Sequence, residues 1–130
     1  MPPIPGVLDF LEELKANNIK MGLVTSSDDK KLETAFQNVP IRHYFDTIVS
    51  ADRITQGKPH PMCYLLAAKD LDINPENCIV FEDSFNGIQS GNDAGMKVVG
   101  LSTTNSEESI KEMVWKVIPD FTNFKLKNLQ

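Results

Sequence analysis

An α/β fold, with a parallel sheet wrapped by helices on both faces, is predicted by three features of the 130-residue chain. Segments of helical periodicity alternate with short apolar runs along its whole length. The runs are apolar at nearly every position, as strands covered on both faces are. The connections between them are short. The length suits one domain, residues 1–130, and a hydrophobic content of 41% can build one core. Strand order does not follow from periodicity.

Taken in order, Pro5-Gly6 leads into Val7, Leu8, Leu11 and Leu14, which are spaced as one face of a helix that stops at Asn17-Asn18. Ile19 to Val24, apolar apart from Lys20, reads as a strand ending at Thr25-Ser26-Ser27. Asp28 and Asp29 open the next helix, where negative charge suits the macrodipole; Leu32, Ala35 and Phe36 form its predicted buried side, and Val39-Pro40 closes it. A β-branched strand follows at Thr47-Ile48-Val49-Ser50, then a polar loop carrying Gly57-Lys58-Pro59-His60-Pro61. Pro61 suits the first turn of a helix from Met62 to Leu71, with Tyr64, Leu65, Ala68 and Leu71 facing inward. Asn74-Pro75-Glu76 turns the chain into Cys78 and the strand Ile79-Val80-Phe81, which ends in Glu82-Asp83-Ser84. Ile88 and Ala94 mark another helix, Gly95 its end, and Val98-Val99-Gly100-Leu101 a fourth strand. Asn105 and Glu108 have capping-box spacing for a helix through Met113, after which Trp115, Val117, Ile118 and Phe121 are expected to pack a closing turn onto the core.

Several function classes are disfavoured by composition. The formal net charge is -5 with both signs interspersed, so no basic stripe exists to neutralise a nucleic-acid backbone. No apolar stretch approaches the roughly 20 residues that span a bilayer, and the opening residues lack the pattern of a signal peptide, so a cytoplasmic location is expected. Cys63 and Cys78 have no metal spacing and read as buried thiols. His43 and His60 lack a nearby acid partner and read as structural or exposed. There is no Gly-x-Ser-x-Gly elbow, dinucleotide fingerprint or Gly-x-x-x-x-Gly-Lys loop.

The chemistry gathers at strand ends, where ligands bind in open parallel sheets. Glu82 and Asp83 are adjacent carboxylates whose repulsion a hard cation such as Mg²⁺ would relieve; a solvated acidic turn is the plainer reading. Thr25 and Ser26 offer hydroxyls and a helix-opening turn that can hold phosphoryl oxygens, or they simply cap the helix. Lys58, between a pliant glycine and a fixed proline, can aim an ammonium at an anion, or it is a solvated surface lysine.

Together these strings resemble the haloacid dehalogenase (HAD) superfamily, in particular its β-phosphoglucomutase-like phosphatase branch. Leu23-Val24-Thr25-Ser26-Ser27 resembles the family's second motif, Gly57-Lys58-Pro59 with Pro61 its third, and Phe81-Glu82-Asp83-Ser84 with Gly87-Ile88 and Ala94-Gly95-Met96 its fourth. Pro5-Gly6-Val7 with Leu11-Glu12-Glu13-Leu14-Lys15 resembles the segment that re-enters the core after the cap domain. The resemblance implies a Rossmann-like HAD-type core. It also implies phosphate binding by Thr25, Ser26 and Lys58, charge balance at the reacting group by Lys58, and Mg²⁺ held by Glu82 and Asp83. The implied activity is phosphoryl transfer from a small phosphorylated metabolite through an aspartyl-phosphate.

One departure counts against activity in isolation. The family's first motif, Asp-x-Asp at the end of an apolar strand, supplies nucleophile and acid/base, and no such strand end is found here. The chain is therefore expected to be a partial core domain without a cap, its sheet lacking the family's first strand, inactive by itself, and prone to self-association or to pairing with a segment that carries the motif. Two other readings compete: a noncatalytic phosphate-binding or interaction module, and a phosphoacceptor receiver domain. The second is disfavoured because the order Thr25, Lys58, Glu82-Asp83 differs from that of receivers.

Overall fold

A computed structural model describes residues 4–130. Helix α1 (Val7–Ala16), strand β1 (Gly22–Val24), α2 (Asp29–Asn38), β2 (Thr47–Val49), α3 (Met62–Leu71), β3 (Ile79–Glu82), α4 (Phe85–Asp93), β4 (Lys97–Leu101), α5 (Glu107–Ile110) and β5 (Lys116–Ile118) follow in sequence, joined by single 3₁₀ turns and short loops. Every strand pair is parallel, as the alternation predicts, and side chains alternate between two apolar layers. Val80 of β3 and Val98 of β4 pack with α3, α4 and α5 through Tyr64, Ala67, Ile88 and Ile110. Phe81 and Leu101, from the same two strands, pack instead with Phe10, Leu11 and Leu14 of α1 and with Phe121.

The strands do not form one sheet. β1 pairs only with β2, Leu23 opposite Ile48, while β3, β4 and β5 make a second sheet in that order. β1 and β3 each keep one edge without a ladder partner among the described residues. Burial follows this division. In β4, with a strand on either side, only the first residue is exposed, whereas none of the three residues of β1 is fully buried.

Three helices end in the same way. Asn18, Asp72 and Gly95 take left-handed backbone (φ 59°, 57° and 81°), and in each case the next residue's N–H reaches back over the last turn: Ile19 to Leu14 O, Ile73 to Ala68 O and Met96 to Gly91 O. This closes otherwise unpaired carbonyls.

Several expectations change. The first strand begins at Gly22 rather than Ile19, because Ile19 is used to close α1 and is 42% exposed, and the Met21 N–H is taken by the Asp46 carboxylate. In α2 only Leu32 is buried; Ala35 is exposed and Phe36 half-buried. In α3 the inward residues are Cys63, Tyr64, Ala67 and Ala68, and Leu65 is 41% exposed, since a helix apolar on most sides gives no sharp periodicity. Asn105 and Glu108 form no capping box: Ser106 is the N-cap, Asn105 bonds elsewhere and Glu108 pairs with Lys111. The expected closing turn contains β5, too short at three residues for its period to be read, and Trp115 lies exposed between the Lys97 and Lys116 ammonium groups, 4.6 and 4.9 Å from its ring. Both cysteines are free thiols, with Cys63 buried.

Candidate phosphate and metal site

Parallel strands bring their carboxyl ends to one side of the molecule, and the predicted residues lie there. Thr25 follows β1 directly; its N–H extends the ladder to Val49 O at 2.9 Å, and its Oγ1 accepts the Ser27 N–H at 3.1 Å. The cap of α2 is Asp28, which accepts the Lys31 N–H, so neither Thr25 nor Ser26 is consumed as a helix cap. Ser50, fully buried at the end of β2, donates to the Asp29 carboxylate, and Asp52 accepts the Asp29 N–H, which fixes the two loops together.

Lys58 reaches this region from the loop after β2. The loop, with a cis peptide at Lys58-Pro59, is pinned to α4 by Ser90, whose buried hydroxyl donates to His60 O at 3.0 Å. Lys58 is not a solvated surface lysine. Its ammonium forms an ion pair with Glu82 Oε2, the side chains being 15% and 8% exposed, and lies 5.3 Å from the centre of the Tyr64 ring. The Tyr64 hydroxyl donates to the same Glu82 oxygen at 2.6 Å, and the Asp83 N–H donates to Glu82 Oε1 at 3.2 Å. Burial first, then the Glu82 charge, pushes the Tyr64 phenol well above its ordinary value, so it stays a donor. Gly87, in the first turn of α4, makes room for this carboxylate: a Cβ there would stand 2.0 Å from the Glu82 carboxyl carbon.

Asp83, one residue beyond β3, is half-buried. Thr104, from the loop after β4, donates to Asp83 Oδ2 at 2.6 Å, and Asn105 donates to Asp83 O at 3.2 Å. Between the β1 end and the lysine loop lies a hollow of about 150 Å³, lined by Thr25, Ser26, Thr55, Gly57, Lys58 and Cys63 among others. Lys58 is shared between the hollow and Glu82, so the structure brings all five predicted residues to one edge.

Glu82 and Asp83 carry the hard oxygens that Mg²⁺ takes, with Glu82 Oε2 engaged by Lys58 and Tyr64 and Asp83 Oδ2 by Thr104. No third His, Cys, Asp or Glu joins them among the described residues. The chain does contain one Asp-x-Asp string, Asp70-Leu71-Asp72, which the sequence reading passed over. It ends a helix rather than a strand. Asp70 pairs with Arg53 at 2.7 Å and accepts from Thr47 at the opposite end of β2, and Asp72 is the left-handed residue that closes α3. Tyr64 was expected only as an inward-facing helix residue and Gly87 only as part of the fourth-motif string, and Thr104 was not singled out. For Tyr64 there was a signal, since a phenol on a buried helix face needs a partner; for Thr104, separated by 21 residues from its partner, there was none.

No helix among the described residues is long and apolar enough to cross a membrane. Comparison with known proteins gives a consistent picture. Residues 1–101 match the sequence profile of the haloacid dehalogenase-like hydrolases. A phosphorylated carbohydrates phosphatase from Thermotoga maritima is 37% identical over 93 residues, 72% of this chain and 43% of its own length. The crystal structure of a β-phosphoglucomutase from Clostridium difficile superposes with a TM-score of 0.86 at 35% identity, covering 98% of this chain and 54% of that one. A HAD hydrolase from Entamoeba histolytica gives a TM-score of 0.91 at 29% identity over 97% of this chain and 58% of its own. The chain thus spans about half the length of the relatives it matches. With the Thr25, Lys58 and Glu82-Asp83 strings at adjoining strand ends and the profile covering most of the sequence, the chain belongs to the haloacid dehalogenase-like hydrolase family.

Proposed function

We propose that this chain is the phosphate- and Mg²⁺-binding part of an enzyme that transfers the phosphoryl group of a small phosphorylated metabolite, a sugar phosphate being the favoured class. The observation that carries this reading is the part-buried Lys58–Glu82 pair beside a hollow lined by hydroxyls. An ammonium there can meet phosphoryl oxygens while Thr25 and Ser26 donate to them. Mg²⁺, held by Glu82 and Asp83, would supply further neutralisation of charge on the transferred group. The relatives named as a phosphatase and a phosphoglucomutase support the reaction class.

These residues bind and orient; none is placed to attack phosphorus. Attack requires a carboxylate nucleophile beside Lys58 and Asp83, and β1 and β3 each keep an edge without a ladder partner among the described residues, where a further strand can pair. We therefore propose that a parallel strand ending in Asp-x-Asp completes the site. The test is hydrolysis of a panel of sugar phosphates by the chain alone and after addition of such a segment. Background rates alone, and Mg²⁺-dependent turnover after addition that Lys58→Ala or Asp83→Ala abolishes, are the expected results. Turnover by the chain alone that depends on Lys58 would place the nucleophile within it. Phosphate binding without turnover in either case would favour a noncatalytic binding module.

A further inference from the structure

We infer that Tyr64 is a positioning residue that lets Lys58 pass between Glu82 and a bound phosphate, an inference that rests on the phosphate reading of the hollow. One oxygen, Glu82 Oε2, accepts from both the Lys58 ammonium and the Tyr64 hydroxyl, while Oε1 has only the Asp83 N–H at 3.2 Å. The carboxylate is 7% exposed, so water cannot replace a departing donor freely. In the metal-free chain, if Lys58 were its only strong partner, moving the ammonium to an anion in the hollow would strand a buried charge, and the pair would stay locked. With Tyr64 still donating at 2.6 Å, Glu82 keeps a partner when Lys58 turns away.

Geometry favours the hydroxyl in this role over general packing. The Tyr64 ring, from α3, lies under the ammonium at 5.3 Å, and its hydroxyl reaches the one oxygen that Lys58 uses. A phenylalanine would preserve the ring and its contact with Lys58 and remove only the donor.

Binding of inorganic phosphate to the metal-free chain, followed by titration calorimetry, tests the inference. Lys58→Ala should abolish binding. Tyr64→Phe should weaken it about tenfold, equivalent to about 1.4 kcal/mol. Glu82→Gln should strengthen it, and in that background Tyr64→Phe should change affinity less than about twofold, because no buried charge remains to be held. Equal affinities of wild type and Tyr64→Phe, or equal losses in both backgrounds, would overturn the role of Tyr64 and leave the phosphate reading standing. Failure of the wild type to bind phosphate would sink that reading. The inference falls with it, since it presumes a phosphate in the hollow.

Discussion

Glu82 is enclosed by Lys58, Tyr64, its neighbour's N–H and the bare Cα of Gly87. Gly87→Ala should therefore destabilise the fold by about 1–3 kcal/mol, even though alanine is the better helix former by about 1 kcal/mol, because the new methyl must displace a buried carboxylate. Urea denaturation measures this, and a stabilised variant would show that the carboxylate moves freely. Alkaline pH should also reveal the site. Burial and the Glu82 charge hold the Tyr64 phenol above its ordinary value near 10, and burial raises the Cys63 and Cys78 thiols above theirs near 9. Above those values the unfolded chain releases protons that the native state retains, so stability is complete below about pH 9 and falls as pH rises. Melting temperatures should drop between about pH 9 and 11, with Tyr64→Phe flattening the upper part; no change over that range would contradict the shifts. Lys58, Glu82 and Asp83 could be singled out only together, through strings that resemble the family's motifs, because each alone reads as readily as a solvated turn or a surface lysine. Tyr64 was read only as core, since helical spacing places the ring on a buried face but does not name the partner its hydroxyl needs.

The helix ends were the most legible elements and the short strands the least. Asn18 and Gly95 are residues that tolerate left-handed backbone, so their stops could be read; Asp72 fills the same role without the same signal. Strand β5 and the late start of β1 depended on partners far along the chain, which no local pattern encodes. Helix α2 has one buried residue, Leu32, and Asp28 as its cap. Leu32→Ala should cost about 2–5 kcal/mol and Asp28→Ala about 1 kcal/mol by urea denaturation. A negligible cost for Leu32→Ala would mean that α2 contributes little to the folded body.

At the scale of the molecule, two small parallel sheets are joined through side chains, not through a ladder: Val24 of β1 packs on the cluster that holds Val80 and Val98. Open edges of this kind invite pairing. The chain alone should show concentration-dependent association in sedimentation, and an added apolar strand ending in Asp-x-Asp should suppress that association and raise the melting temperature. A strictly monomeric chain whose melting ignores the segment would contradict the proposal. The alternation of elements predicted the architecture, but the division into two sheets was not predicted, since strand order is a long-range property; the resemblance implied only that one strand is lacking. Trp115 turns this division into something that can be watched. It is the single tryptophan of the sequence and is seated at the start of β5 between two lysines, so its emission reports the three-stranded half alone, whereas circular dichroism sums both halves. Optical curves that separate during denaturation, and merge once a bridging strand is bound, would show the two halves becoming one cooperative unit.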